Sequence, residues 1–184
     1  MMITILAAFL LSMTILTVTK NSNNTASVVS SSRYDIMAIS LGTSIIEDAT
    51  APNMAFDETT VSGATKDSTT LTAPTLLGID TGESRDPATF DDFDDYNCFN
   101  NSDANHAPKK DSIAVQGVAN TWVRFLTICK VDYVSSNNPD VSSATRTWTK
   151  RLRLYVYSKD LSDPLTGKTD TVKLSTVYSY WYLP

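Results

Sequence analysis

The first eighteen residues, Met1 to Val18, contain no charged residue, no proline and no glycine, and the stretch that follows, from Lys20 to Ser32, is almost entirely polar. A segment reading ITILAAFLLSMTILTV cannot stay exposed to water. At ~25 cal/mol per Å² of apolar surface, its hydration costs many kcal/mol. It belongs in a bilayer, against copies of itself, or in each in turn. As a helix, eighteen residues reach ~27 Å, just enough for a hydrocarbon core. A cleaved secretion signal fits poorly, because no Lys or Arg precedes Lys20 and no A-x-A pattern follows the apolar run.

The segment after it is poor helix material. Thr19 to Ser27 (TKNSNNTAS) is rich in side chains that compete for backbone hydrogen bonds, so weak helix or local unwinding is expected there. Apolar spacing returns from Val28 to Asp48. Tyr34, Ala38, Leu41 and Ile45 fall on one helical face, with Val29, Ile36 and Ile39 near or beside it. Gly42 weakens this helix, and Pro52 marks its end.

The rest of the chain changes period. Thr59–Thr72 reads as a strand with loops, and Leu76–Ile79 as a short apolar run. Thr121–Val134 then alternates, with Val123, Phe125, Thr127, Cys129, Val131 and Tyr133 on one face. Leu152, Leu154 and Val156 alternate with Arg151, Arg153 and Tyr155, and Val172, Leu174 and Thr176 with Lys173, Ser175 and Val177. Asn137–Asp140 and Asp163–Gly167 carry turn chemistry. Three strands on short connections favour an antiparallel meander. The fold class expected is therefore α+β: a long hydrophobic N-terminal helix, packed by its rear half on an antiparallel β-sheet. The division is 1–52 for the helix (1–18 apolar, 19–27 unwound, 28–50 amphipathic) and 53–184 for a β-rich head.

Several function classes are disfavoured. The net charge is −5 and no basic stripe appears, so nucleic acid is not an expected partner. One histidine, His106 in a polar loop, leaves few acid–base or triad schemes, and there is no phosphate loop, nucleophile elbow or zinc spacing. The chain does not read as an enzyme. The aromatic tail (Tyr178, Tyr180, Trp181, Tyr182) reads as cross-strand pairs rather than a sugar platform.

Two groups of residues stand out. Cys98 and Cys129 form one disulfide if the chain lies outside the cytoplasm, or stay as two buried thiols. The acidic run Phe90–Phe99 (FDDFDDYNCF) offers hard oxygens: Asp92 and Asp94 with Asn97, or Asp91 and Asp95, can ligate Ca²⁺. The alternative is a structural turn, in which the Asp side chains accept backbone N–H groups while Phe90, Phe93, Tyr96 and Phe99 anchor the loop.

With these residues the chain resembles the type IV pilin and pseudopilin superfamily, whose apolar half-helix follows a removed leader. FDDFDDYNCF, preceded by Gly82-Glu83-Ser84-Arg85, is similar to the acidic segment of minor pilins of mannose-sensitive haemagglutinin pili. The resemblance implies an assembly helix carrying Ile3, Ile5, Leu6, Phe9, Leu10, Met13 and Leu16. It implies a homopolymer stored in the inner membrane and drawn by a pilus assembly machine into an extracellular filament. Ile5 stands where the family usually has Glu, so docking would rest on apolar packing alone. A minor or tip subunit, or a membrane-anchored binding module with a β-domain, are the alternatives.

Overall fold

The computed structural model describes residues 2–60, 67–114, 122–135, 137–162 and 169–180, with the side chains of residues 2–9 and a few others of the helix left aside. A single helix, α1, runs from Met2 to Ala49. The strands are β1 (Lys109–Ala114), β2 (Trp122–Ser135), β3 (Asn138–Ser142), β4 (Thr149–Ser162) and β5 (Thr169–Ser179). They form one antiparallel sheet in the order β1-β2-β4-β5, with the short β3 paired to β2. The expected meander is interrupted only by β3, which occupies part of the Asn137–Asp140 turn segment.

The long hydrophobic N-terminal helix expected from the sequence is not what the structure contains, and this part of the expected fold is corrected. Among the described residues no helix is long and apolar enough to cross a membrane. The apolar stretch of α1 is not continuous over the ~30 Å of a hydrocarbon core. Ser12, Thr14 and Thr17 break it up, and polar residues follow from Thr19. Of weak helix and local unwinding, the two expectations for 19–27, the helix is what continues. Thr hydroxyls in this part of the helix bond back to carbonyls a turn earlier: Thr17 Oγ1 to the Met13 oxygen (2.8 Å), Thr19 to Ile15 (2.9 Å) and Thr25 to Asn21 (2.9 Å). Bonded this way, they follow the helix instead of competing with it.

The chain divides into two compact units, Met1–Met37 and Ala38–Pro184. Within the second unit, Ala38, Gly42, Ile45 and Ala49 are buried at helical spacing, while Ile39 is exposed. Gly42 allows a close approach: a Cβ there would overlap the Leu174 Cδ1 methyl of β5 and lie 3.4 Å from Val156 Cγ2 of β4. The helix stops as Thr50 and Ala51 donate back to the Ile46 and Asp48 carbonyls, just before Pro52. In the first unit, Val29 and Ile36 are exposed and not part of a buried stripe.

The sheet carries the core. Val123, Phe125, Thr127, Cys129, Val131 and Tyr133 of β2 are all buried, as their alternation predicts. Leu152, Leu154 and Val156 of β4 are fully buried, with Cys129 opposite Leu154 and Leu154 opposite Leu174. Over this face lies irregular chain. Residues 53–60 and 67–108 contain short 3₁₀ turns and one isolated parallel bridge between Ala55 and Asp92. The strand expected over Thr59–Thr72 is not found in its described part, which holds turns at Glu58–Thr60 and Ser68–Thr70; residues 61–66 lie outside the described residues.

Candidate functional site

Two features stand apart from ordinary core packing: the acidic segment against the sheet, and the apolar residues left on the surface of α1.

The acidic segment is held in place by its aromatic residues. Phe90, Phe93, Tyr96 and Phe99 are buried. The Phe90 and Tyr96 rings meet edge to face at 5.0 Å, and Phe93 lies 5.3 Å from Tyr178 of β5. Asn97 ties the segment to two neighbours. Its Nδ2 donates to the Leu77 carbonyl (2.7 Å), and its Oδ1 accepts the Val131 N–H of β2 (3.1 Å).

So anchored, the four aspartates part company. Asp92 works on the backbone: Oδ1 accepts the Asp94 N–H (2.8 Å) and Oδ2 the Glu58 N–H (2.8 Å). Asp94 turns inward to Lys150 of β4. Asp95 Oδ2 accepts the N–H groups of Asp91 (3.0 Å) and Asp92 (3.1 Å). Asp91 is exposed and lies with Asp95 and Glu83, one carboxylate oxygen of each within 4.8 Å of the others. Of the two expected ligand sets, Asp92 and Asp94 with Asn97 are taken up by backbone N–H groups, Lys150, Leu77 and Val131. Asp91 and Asp95 do converge, and their third partner is Glu83.

Lys150 is the centre of a buried polar cluster. Its side chain is fully buried, and Nζ donates to Asp57 Oδ2 (2.9 Å), the Phe56 carbonyl (2.8 Å) and Asp94. The ammonium also sits 4.8 Å from the centre of the Phe56 ring and 5.4 Å from that of Tyr133. Asp57 is shared further, accepting from the Thr72 N–H and hydroxyl and from the Tyr133 hydroxyl, which donates also to the Thr72 carbonyl. One ammonium faces two buried carboxyls. Burial pushes Asp94 well above the usual carboxylate range, against the pull of Lys150. The cluster fixes residues 56–57, 72 and 94 to β2 and β4, and nothing in it is open to a substrate.

Carboxyl groups crowd together outside this cluster, and their charged forms are disfavoured. Burial, then the Asp92 charge, pushes Asp95 up to about 8. Asp92 is raised chiefly by burial, and Glu58 chiefly by the Asp91 charge. Carboxylates in this corner crowd one another, and Lys150 is committed to the interior.

Of the two states expected for Cys98 and Cys129, a disulfide or two buried thiols, the structure has both residues free and buried. Cys98 lies on the 3₁₀ turn Asp95–Phe99 and Cys129 on β2, and both belong to the same core cluster. Burial pushes the Cys98 thiol up to about 11 and the Cys129 thiol higher still. His106 lies in its exposed loop, with Nδ1 2.9 Å from Asp103 Oδ1. Tyr178 and Tyr180 pack on Phe56 in the core, at 5.9 and 5.8 Å; Trp181 and Tyr182 lie outside the described residues.

On α1, Leu10, Leu11, Met13, Ile15, Leu16 and Val18 are all exposed, from 54 % for Leu10 to 72 % for Leu16. Of the expected assembly residues, Leu10, Met13 and Leu16 are thus on the surface; the side chains of Ile3, Ile5, Leu6 and Phe9 lie outside the described ones. Comparison with protein-family models, curated proteins and solved structures gives no match to this chain.

Proposed function

We propose that the chain is a structural subunit of an extracellular filament of the type IV pilus kind, held together by packing between copies of α1. The observation that carries this reading is the run of exposed apolar side chains from Leu10 to Val18. Scattered exposed leucines need no explanation, but six large apolar residues within nine positions of one helix call for a partner. They occur in a chain whose sheet has already buried its own apolar face.

The energetics favour a polymer over a dimer. Burying six half-exposed apolar side chains gains roughly 6 kcal/mol per subunit. Association costs about 4–15 kcal/mol in lost freedom. One pairwise contact is therefore marginal, whereas a bundle in which each helix meets several others is stable. Such contacts use different faces of each copy, so they propagate as an open helix rather than closing.

The test is negative-stain electron microscopy of the purified full-length chain, beside the Leu11→Asp/Ile15→Asp variant. Fibres from the parent chain and none from the variant are expected. A parent chain that stays monomeric at high concentration contradicts the proposal.

A further inference from the structure

We infer that the outer face of the sheet binds the acidic side of a second copy of this chain, head to tail. The inference rests on the filament reading above, to which it adds a contact between the heads.

The first observation is where the basic residues go. The chain carries a net charge of −5 and no basic run, yet strand alternation collects cations on the side of the sheet turned away from the core. Lys130 of β2 stands opposite Arg153 of β4, and Lys173 of β5 opposite Tyr155 of β4. Lys110, Arg124 and Lys159 meet at one end of the same face. The arginines here are paired, Arg124 with Asp160 at 2.7 Å, and Arg151 and Arg153 with Asp132 at 2.8 and 3.0 Å. Lys110, Lys130, Lys159 and Lys173 are exposed, and they form no ion pair among the described residues. Like charges directly opposite one another destabilise a sheet. Asp132 relieves Arg153 but leaves Lys130 to repel it, a cost that an anionic partner removes.

The second observation lies on the other side of the sheet, in the irregular chain that covers the core. Glu58, Asp80 and Asp91 are exposed there and Glu83 is half-buried. They crowd one another: the Asp91 charge is the main cause that pushes Glu58 up, and Asp80 is pushed up by burial and then by the Glu83 charge. The cations on this side face inward. Lys150 is bound to Asp57, Asp94 and the Phe56 carbonyl, and Arg85 donates to the Ala107 carbonyl and lies over the Phe99 ring. Each side of the head thus repels itself and complements the other.

Complementary potentials steer an encounter and fix its register. Because the two patches lie on different sides, the contact is heterologous and repeats without closing, which is the symmetry that packing of α1 also requires. Two basic faces could not pair with each other. Trp122, Tyr155 and Tyr157 stand among the cations, Trp122 exposed and the tyrosines half-buried, and Tyr, Trp and Arg are the side chains enriched where proteins meet.

The experiment is sedimentation velocity on the full-length Leu11→Asp/Ile15→Asp chain, in which helix packing is removed and the heads are tested alone. In about 20 mM salt, with a Debye length of roughly 20 Å, dimers and short oligomers are expected. In about 0.5 M salt, where the Debye length is roughly 4 Å, association should weaken at least tenfold. Adding Lys130→Glu/Lys173→Glu should abolish self-association, and so should adding Glu58→Lys/Asp91→Lys. All four positions are exposed, so melting curves should match the background. Mixing the two charge variants should restore association, since each then offers the charge that the other needs. A background that stays monomeric in low salt, an association indifferent to salt, or a mixture that stays monomeric overturns the inference. So does a monomeric chain that binds an oligothymidylate through Lys130 and Lys173, which gives the face to a nucleic acid instead. Fibres from the parent chain beside a monomeric background sink this inference and leave the filament reading standing; salt-sensitive oligomers without parent fibres do the reverse.

Discussion

Replacing Lys150 by methionine removes the ammonium that pairs with Asp57 and Asp94. Methionine fills much of the same volume, so the loss is mainly electrostatic. The side chain is fully buried and pairs with groups that are themselves buried. Breaking a buried pair by removing one partner costs about 3–5 kcal/mol, because the other charge stays behind. The Phe56 carbonyl also loses its donor, and part of that penalty is already contained in the same range. A cost near 4 kcal/mol is a large share of the ~5–15 kcal/mol available to a domain. In a chain of 184 residues it lowers the melting temperature by roughly 8–16 °C. Urea and thermal unfolding followed by circular dichroism at pH 7 read this directly. Adding Asp94→Asn to Lys150→Met should recover part of the loss, since it removes a buried carboxyl that the missing ammonium no longer meets. A Lys150→Met protein within 1 kcal/mol of the parent (about the worth of one ordinary hydrogen bond) would falsify the reasoning, because the carboxyls would then not depend on the ammonium.

Two further outcomes follow from the packing. Gly42→Val should destabilise by about 1–3 kcal/mol through overpacking against Leu174 and Val156, while Gly42→Ala should be near neutral, its helix-propensity gain offset by a shifted Leu174; a stabilised valine variant in urea melts would show that α1 does not lie so close to the strands. For the thiols, burial raises both pKa values, so the reactive thiolate is scarce at pH 8. Iodoacetamide should leave the folded protein unlabelled and add two groups after denaturation, and a chain that takes up none when denatured without reductant would mean that the cysteines are joined.

The sheet was legible in the sequence because strand alternation is a local signal that burial on one face enforces. The six alternating residues of β2 and the three leucine and valine positions of β4 are buried for that reason. The same phase places Lys150 two residues before Leu152, on the inward face. That is the signal by which the buried lysine could have been found, since a charge in a buried phase requires partners. Its partners Asp57 and Asp94 were not legible, because irregular chain brings them to β4 across 93 and 56 positions. Glu83 was missed for a similar reason. It joins Asp91 and Asp95 only after the turn at Gly82, which adopts φ of 108°, and sequence spacing alone favoured ligand sets within 91–97. At the helix, composition suggested unwinding near Asn21–Asn24, but hydroxyl bonds to preceding carbonyls let the helix continue. The sharp change at Val18 was real as a pattern, yet it led to a long hydrophobic helix that the structure does not bear out.

The account stands on where the exposed apolar residues of α1 go. A photo-cross-linking side chain at position 16, where Leu16 is 72 % exposed, reports its neighbour directly when the full-length chain is irradiated under filament-forming conditions. Adducts at successive multiples of the chain mass are predicted, and they should vanish when Leu11 and Ile15 are both replaced by Asp. Irradiated protein that runs only as the single chain would contradict the claim that copies of this helix shelter one another.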